Sequence, residues 1–144
     1  MKVTAEQQDW SGKYLIVWDN NAHATISGKD LIATSSVNIV ADEIAATAEL
    51  EQAVVTVSKS GDHYVMTLPN GKYFGMAKNS CSEESAEFAL TFEYTDAGVK
   101  VSGTISDGTF MLYHNSNNGN FYRCYVDKKG QAGYTLPALY KYTE

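Results

Sequence analysis

The sequence is poor in arginine, proline and cysteine, and it has no long hydrophobic run. Arg123 is the one arginine among 11 basic residues, which face 17 acidic ones and leave a formal net charge of -6. This charge excludes the basic face that binds a phosphate backbone, so we expect no nucleic-acid partner. Because no apolar run approaches the ~20 residues that cross a bilayer, we expect no membrane span.

The start of the chain lacks the apolar stretch of a secretory signal peptide. We expect residues 1–9 to be a disordered or artificial lead and residues 10–144 to form a single β domain. Cys81 and Cys124 form no C-x-x-C motif, so they are either one disulfide in an oxidising compartment or two free buried thiols. Cys81 lies in a predicted polar loop and Cys124 in a predicted strand, which favours free thiols.

Short runs of β-branched and aromatic residues recur every ten or so positions, bounded by Gly, Asn, Asp and Ser. This spacing predicts an all-β fold, a single-domain antiparallel barrel or sandwich. A turn–glycine–polar–aromatic pattern occurs at Gly12, Gly71 and Gly108, and its unequal spacing favours one barrel or sandwich over a β-trefoil, which is the alternative fold. The predicted strands are Tyr14–Trp18, Val37–Val40, Val54–Ser58, Tyr64–Leu68, Tyr73–Ala77, Phe88–Tyr94, Val99–Ser102, Phe110–His114, Phe121–Val126 and Leu139–Tyr142.

Residues 41–53 have a helix-forming composition but no continuous apolar stripe at helical spacing. They predict one short helix near residues 48–53 that links two strands. A longer amphipathic helix beginning at Ala41 is the alternative. In Phe88–Tyr94, by contrast, alternation places Phe88, Leu90, Phe92 and Tyr94 on one face, which we expect to enter the core.

The segment 114–120 is rich in asparagine and is followed by tyrosines. Amide groups hydrogen-bond hydroxyls, and aromatic rings stack on the C–H faces of sugars, so this composition fits a carbohydrate-binding rim. A long hairpin loop explains the asparagines equally, and core packing explains the tryptophan at the end of the first strand. On the binding interpretation the ligand-binding residues are Trp18, Tyr113, His114, Asn115, Asn117, Tyr122, Arg123 and Tyr125.

Catalytic and metal-binding motifs are absent from the sequence. His23, His63 and His114 stand at no metal-ligating spacing, and there is no G-x-S-x-G motif and no EF-hand loop. The acidic residues cluster in predicted turns, where solvated charge is the ordinary interpretation. We therefore expect no catalytic residue, no metal site and no cofactor. A small hydrolase remains an alternative if a histidine and a carboxylate converge in one pocket.

Several strand and turn motifs occur in a distinctive order along most of the chain, most clearly from Tyr64 onward. They are Ser11–Val17, Asn70–Gly75, Phe110–Ser116, Phe121–Tyr125 and Tyr134–Tyr142. Together they resemble β-rich accessory domains found near the C-termini of secreted and surface proteins of gut Bacteroidetes. The resemblance implies an exported, non-catalytic module beside other domains, at the cell surface or outside the cell. It carries no known ligand, so it assigns no role to any residue.

The sequence thus predicts a non-catalytic binding module of an exported protein. The favoured partner is a glycan or a cell-surface polymer, bound through hairpin loops rich in Tyr and Asn. The alternative is an interaction or structural domain that packs its tyrosines against a neighbouring catalytic domain or a partner protein.

Overall fold

The computed structural model describes residues 1–143 and shows an all-β chain with one helical turn. That turn, Glu49–Ala53, is a 3-10 helix, and no helix within residues 1–143 could cross a bilayer. The strands are β1 (Gly12–Trp18), β2 (Asn21–Ser27), β3 (Asp30–Ser36), β4 (Ile39–Val40), β5 (Glu43–Ile44), β6 (Val55–Ser60), β7 (His63–Thr67), β8 (Tyr73–Ala77), β9 (Ser80–Glu84), β10 (Thr91–Thr95), β11 (Gly98–Ile105), β12 (Gly108–Asn115), β13 (Phe121–Tyr125), β14 (Tyr134–Thr135) and β15 (Ala138–Lys141).

The main sheet has 13 antiparallel strands, of which 11 lie side by side in the order β10-β11-β12-β13-β3-β2-β1-β6-β7-β8-β9. In addition, β14 pairs with β12 and β15 pairs with β1, while β4 and β5 form a separate small sheet. The all-β prediction is confirmed. Within residues 1–143 the two terminal strands of the path, β9 and β10, do not pair, so the sheet is not closed into a barrel. The strands of the main sheet follow one another in a single continuous order. A β-trefoil would instead repeat one unit three times, and the described residues show no such repeat.

The sheet folds over so that its ends pack against other parts of it. Strand β9 contacts β3 and β13, β8 contacts β11, and β10 contacts β7. A pair of backbone hydrogen bonds joins the layers: the amide of Tyr64 donates to the carbonyl of Leu90 at 3.0 Å, and the amide of Leu90 donates to the carbonyl of Tyr64 at 2.8 Å. The core lies between these surfaces. Leu90 and Phe92 are buried in it and Phe88 and Tyr94 pack against it, which confirms the predicted inward face.

Five strands were not predicted from the sequence: the two-residue strands β5 and β14, and the longer strands β2, β3 and β9. The three longer ones share a composition. They are built largely from Ala, Ser, Thr and charged residues, and their sequences carry weak strand propensity. Pairing with neighbouring strands stabilises them despite this weak propensity. For example, β2 lies between β1 and β3, and β3 also pairs with β13. The predicted strand Val37–Val40 is shorter in the structure, where β4 covers Ile39–Val40 alone.

The predicted short helix is confirmed, with Leu50 and Ala53 buried beneath the turn. The longer helix does not form. Ala41 and Asp42 have φ angles of 52° and 59°, so they make a left-handed turn between β4 and β5. A helix could not continue through two residues in that conformation.

Several of the first nine residues contact the rest of the domain, where the sequence predicts a disordered or artificial lead. Lys2 pairs with Tyr140, and Val3 is 6% exposed and belongs to the core. The carboxylate of Glu6 accepts bonds from Trp10 Nε1 at 3.1 Å and from the amide of Tyr94 at 2.8 Å. These contacts attach Lys2, Val3 and Glu6 to the folded domain.

Candidate functional site

The β12–β13 hairpin carries most of the predicted binding residues, and strand alternation divides them between its two faces. His114 lies opposite Tyr122 in the register, and both side chains are 0% exposed in the interior. Tyr113 lies opposite Arg123, on the other face. The sequence treats these residues as one surface, whereas the fold places them in two separate environments.

On the inner face, Trp18 stacks on His114 with ring centroids 3.7 Å apart and planes at 10°. The rings of His23 and Tyr122 meet His114 edge-on, at 5.7 and 5.1 Å. The Tyr122 hydroxyl donates to the carbonyl of Val17 at 3.2 Å. His114 and Tyr122 therefore support Trp18 from inside the core and offer no surface of their own to a ligand.

The two buried histidines share one side-chain amide. Nε2 of His23 and Nε2 of His114 each lie 2.9 Å from Oδ1 of Asn120. Nδ1 of His23 lies 3.1 Å from the carbonyl of Asn21, which can only accept, so Nδ1 carries the hydrogen. A neutral His23 then has only a lone pair at Nε2.

Burial lowers the pKa of both His23 and His114, which favours the neutral rings. Neutral rings need a donor at this position, so we assign the Asn120 amide in the orientation that turns its NH₂ group, rather than Oδ1, toward the two Nε2 lone pairs. His114 then donates its Nδ1 hydrogen to the hydroxyl of Ser116, 3.1 Å away. This assignment satisfies every imidazole nitrogen of the pair.

The outer face carries a group of rings that we call the tyrosine cluster: Tyr113, Tyr125 and Tyr134. Tyr134 meets Tyr113 and Tyr125 edge-on, with centroids 6.4 and 5.3 Å away. Nζ of Lys128 lies 5.2 Å from the Tyr134 ring centroid and 5.7 Å from that of Tyr125. Nδ2 of Asn115 donates to the Tyr125 hydroxyl at 2.9 Å. The cluster is thus held by a cation–π contact and a buried hydrogen bond.

A cleft of about 440 Å³ opens beside this cluster, and we call it the lysine–tyrosine cleft. Its lining includes Tyr113, Tyr134, Asp127, Lys100, Lys128 and Lys129.

Asp127 is fixed within the lysine–tyrosine cleft by two donors. The Tyr113 hydroxyl donates to Asp127 Oδ1 at 3.1 Å, and the amide of Lys129 donates to the same oxygen at 2.9 Å. The Lys129 amide and the Tyr113 hydroxyl lower the pKa of Asp127, so this carboxylate is ionised at neutral pH. Asp96 also lines the cleft, which therefore presents two carboxylates, one of them fixed, among the ammonium groups of three lysines.

Two segments distant in sequence form one wall of the cleft. Gly98 has a φ of 138°, and a Cβ there would stand 2.9 Å from Cβ of Leu136. The amide of Val99 donates to the carbonyl of Pro137 at 2.9 Å. Because Gly98 has no side chain, the β10–β11 turn can approach residues 136–137 this closely.

A second cleft, of about 390 Å³, shares part of this wall and is also lined by Trp18, Asp19, Tyr94 and Tyr140. We call it the tryptophan cleft. Both clefts are also lined by residues 95–97 and 135–136, so they adjoin there. The predicted residues Trp18 and Tyr113 thus lie in neighbouring clefts.

Asn117 and Arg123 make structural contacts in this structure. Asn117 donates its side-chain amide to the carbonyl of Ala132 at 3.1 Å, which ties the loop after β12 to the segment before β14. Arg123 forms an ion pair with Asp30 and lies over the ring of Phe121, 5.2 Å from its centroid. The Arg123 ion pair links β13 to β3.

Sequence reasoning missed Tyr134, Asp127 and Lys128 as cleft residues. Tyr134 stands in one of the motifs that carry the resemblance, and Lys128 precedes a predicted turn, but neither pattern marks a site. Their position depends on the pairing of β14 with β12, through Asn115 and Tyr134. No local pattern shows that these segments meet.

Within residues 1–143, His63 is the one histidine whose side chain contacts a carboxylate. His63 lies 3.4 Å from Asp62 at the surface, and the hydrogen-bond partners of His23 and His114 are amide, carbonyl and hydroxyl groups. In the same part of the chain, no three His, Cys, Asp or Glu side chains are grouped to hold a metal ion. No buried side-chain nitrogen or oxygen in the described residues lacks a hydrogen-bond partner.

No family model matches this chain, and comparison with curated proteins and with solved structures finds no significant similarity.

Proposed function

We propose that this chain is a non-catalytic module that binds a glycan or a cell-surface polymer in the lysine–tyrosine cleft. The observation that carries the proposal is a cleft of about 440 Å³ lined by Tyr134 and Tyr113 and by charged groups of both signs. Its volume lies in the ordinary range of ligand pockets, roughly 300–1,000 Å³. Aromatic rings suit the C–H faces of a sugar, and ammonium and carboxylate groups suit its hydroxyls.

The cleft is organised before any ligand arrives. Tyr134 is held edge-on by Tyr113 and Tyr125, and Lys128 lies against Tyr134 and Tyr125. Asp127 is fixed by a hydroxyl and a backbone amide. A ligand that binds such a site does not have to order these side chains, so less conformational entropy is lost on binding.

The adjoining tryptophan cleft supports a ligand longer than one sugar unit. The two clefts meet along residues 95–97 and 135–136, and Trp18 and Tyr94 line the second of them. A polymer that occupies both clefts would gain affinity from linked subsites. We therefore expect an oligosaccharide to bind more tightly than a monosaccharide of the same composition.

The proposal includes export to the cell surface or the extracellular space. The support for this part is the resemblance of the strand and turn motifs to accessory domains of exported proteins. Fractionation of the native cells, followed by immunodetection of the chain, tests it independently of ligand binding.

The test of binding is calorimetry against a panel of plant and host polysaccharides and their oligosaccharides, first with the unchanged protein. Tyr134→Ala removes the ring that lines the cleft, and we expect affinity to fall by roughly tenfold or more. Tyr73→Ala is the matched control, because Tyr73 is a half-buried tyrosine on β8 that does not line this cleft. We expect this control to bind as the unchanged protein does.

Two results would contradict the proposal. One is the absence of binding to every polysaccharide of the panel. The other is a Tyr134→Ala variant that keeps full affinity, which would move any binding to another surface. Lys128→Ala provides a second variant at the same cleft, because it leaves the Tyr134 ring in place and removes the cation beside it.

A further inference from the structure

Cys81 and Cys124 are brought together in the core by the folding of the sheet. Their sulfur atoms lie 3.5 Å apart, although the residues are separated by 43 positions in the chain. Both are free thiols in the structure, with exposures of 1% and 0%. The sulfur of Cys81 also lies 3.6 Å from the carbonyl of Tyr122. The prediction that Cys81 lies in a polar loop is wrong, because it lies in β9.

The two cysteines belong to strands that contact each other without pairing. Strand β9 pairs with β8, while β13 pairs with β12 and β3. The amide of Cys81 donates to the carbonyl of Lys29 at 2.8 Å, which holds the start of β9 against the β2–β3 turn. The sulfurs therefore meet where one part of the sheet folds over another. A bond between them would join β9, an edge strand of the sheet, to β13, an interior strand.

We propose that Cys81 and Cys124 form a disulfide when the chain folds under oxidising conditions. A disulfide has sulfur atoms about 2.05 Å apart, so bond formation closes a gap of only about 1.5 Å. Adjustment of the two side chains can supply a displacement of this size, and the strands already hold the sulfurs in contact.

The oxidant is a small disulfide, for which oxidised glutathione is the probe. The thiolate of one cysteine attacks a glutathione sulfur, forms a mixed disulfide and releases one glutathione thiolate. The second cysteine thiolate then attacks the protein sulfur of that mixed disulfide and releases the second glutathione. The two protein thiols lose two electrons and two protons, and the two glutathione molecules gain them.

This exchange takes place before the core closes. Thiolates are the attacking species, and burial holds the pKa of the Cys81 thiol well above its usual range. A glutathione molecule cannot reach sulfurs that are 1% and 0% exposed. A protein that folds reduced therefore keeps its thiols, and a protein that folds in an oxidising buffer acquires the bond.

The experiment compares two orders of addition. Unfolded, reduced protein is refolded in a buffer of oxidised and reduced glutathione, and folded, reduced protein is placed in the same buffer. Each sample is quenched, unfolded and alkylated, and its mass is measured. We expect no alkylated cysteine in the refolded sample and two in the sample that was folded beforehand. We also expect the refolded, oxidised sample to melt roughly 10 °C higher than the reduced one.

The variants Cys81→Ser and Cys124→Ser, treated in the same way, each keep one cysteine that cannot pair within the chain. Should one of them fail to fold, the unchanged protein still answers the question through its mass. Two alkylated cysteines after oxidative refolding would overturn the proposal. Disulfide-linked dimers in place of the internal bond would overturn it as well. The inference is independent of glycan binding, which these experiments do not measure.

Discussion

At Asn120, one side-chain amide serves two buried imidazoles, those of His23 and His114. Each imidazole has its second nitrogen beside another partner, a carbonyl for His23 and a hydroxyl for His114. The network is complete when both rings are neutral and the amide donates. Protonation of either ring places an N–H against the NH₂ group and puts a charge on a buried ring, so it costs stability.

This network predicts that stability falls with acidity. Burial lowers the pKa of both histidines in the folded state, whereas the unfolded pKa is about 6.5. Below pH 6.5 the unfolded chain binds more protons than the folded one, so stability is complete above this pH and is lost as the pH falls toward the folded pKa values. We expect a decrease of up to about 1.4 kcal/mol per pH unit for each histidine. Urea unfolding between pH 7.5 and 5 measures it.

Asn120→Asp and His63→Gln are the controls for this pH dependence. A carboxylate at position 120 accepts from imidazolium rings, so Asn120→Asp should weaken or reverse the slope. His63 is a partly exposed residue near Asp62, so His63→Gln should leave the slope unchanged. Unfolding free energies of the unchanged protein that stay constant from pH 7.5 to 5 would contradict the assignment of neutral, buried histidines.

At the scale of elements, two hairpin turns use glycine in different ways. Gly98 and Gly108 begin β11 and β12 with φ angles of 138° and 126°. Both backbones are therefore in a region that L side chains rarely adopt. They differ in surroundings, because a Cβ at Gly98 meets Leu136 at 2.9 Å, while a Cβ at Gly108 has nothing within 4 Å.

The comparison of Gly98→Ala with Gly108→Ala separates backbone strain from crowding. We expect Gly108→Ala to lose about 1–2 kcal/mol of unfolding free energy from strain alone. Gly98→Ala should lose more, because its methyl group pushes the β10–β11 turn away from residues 136–137. Chemical denaturation measures both variants. Equal losses would show that the contact between these two segments is loose.

At the scale of the whole molecule, the first residues of the chain complete the sheet around β15. The amide of Val3 donates to the carbonyl of Leu139, and the amide of Lys141 donates to the carbonyl of Met1, both at 2.8 Å. Val3 fills a place in the core at 6% exposure. Strand β15 pairs in turn with β1, so the two ends of the described chain support the same region.

Deletion of residues 1–5 is therefore expected to destabilise the domain. The loss combines the burial of Val3 with hydrogen bonds to β15, and we expect about 3 kcal/mol. The midpoint of urea unfolding measures it. Thr4→Ala is the control, since Thr4 is exposed and its substitution should change the midpoint little. An unchanged midpoint after the deletion would show that residues 1–5 behave as a detached lead.

Local pattern in the sequence was enough to establish the all-β class, the inward face of Leu90 and Phe92, and the short helix near Leu50. Each of these depends on side-chain alternation, turn residues or composition within a few neighbouring positions. The strands β2, β3 and β9 could not be predicted from local pattern. Their own sequences have weak strand propensity, and they are stabilised by pairing with neighbouring strands.

The candidate site depended on contacts between distant parts of the chain. Alternation along β12 and β13 sent His114 and Tyr122 inward, and the return of β14 to β12 brought Tyr134 beside Tyr113. The folding of β9 over β13 placed Cys81 against Cys124. Such contacts form when the gain from packing exceeds the entropy lost in closing long loops, and that balance involves the whole chain. No short stretch of sequence determines this balance, so the tyrosine cluster, the buried histidine pair and the cysteine pair could be identified only in the folded protein.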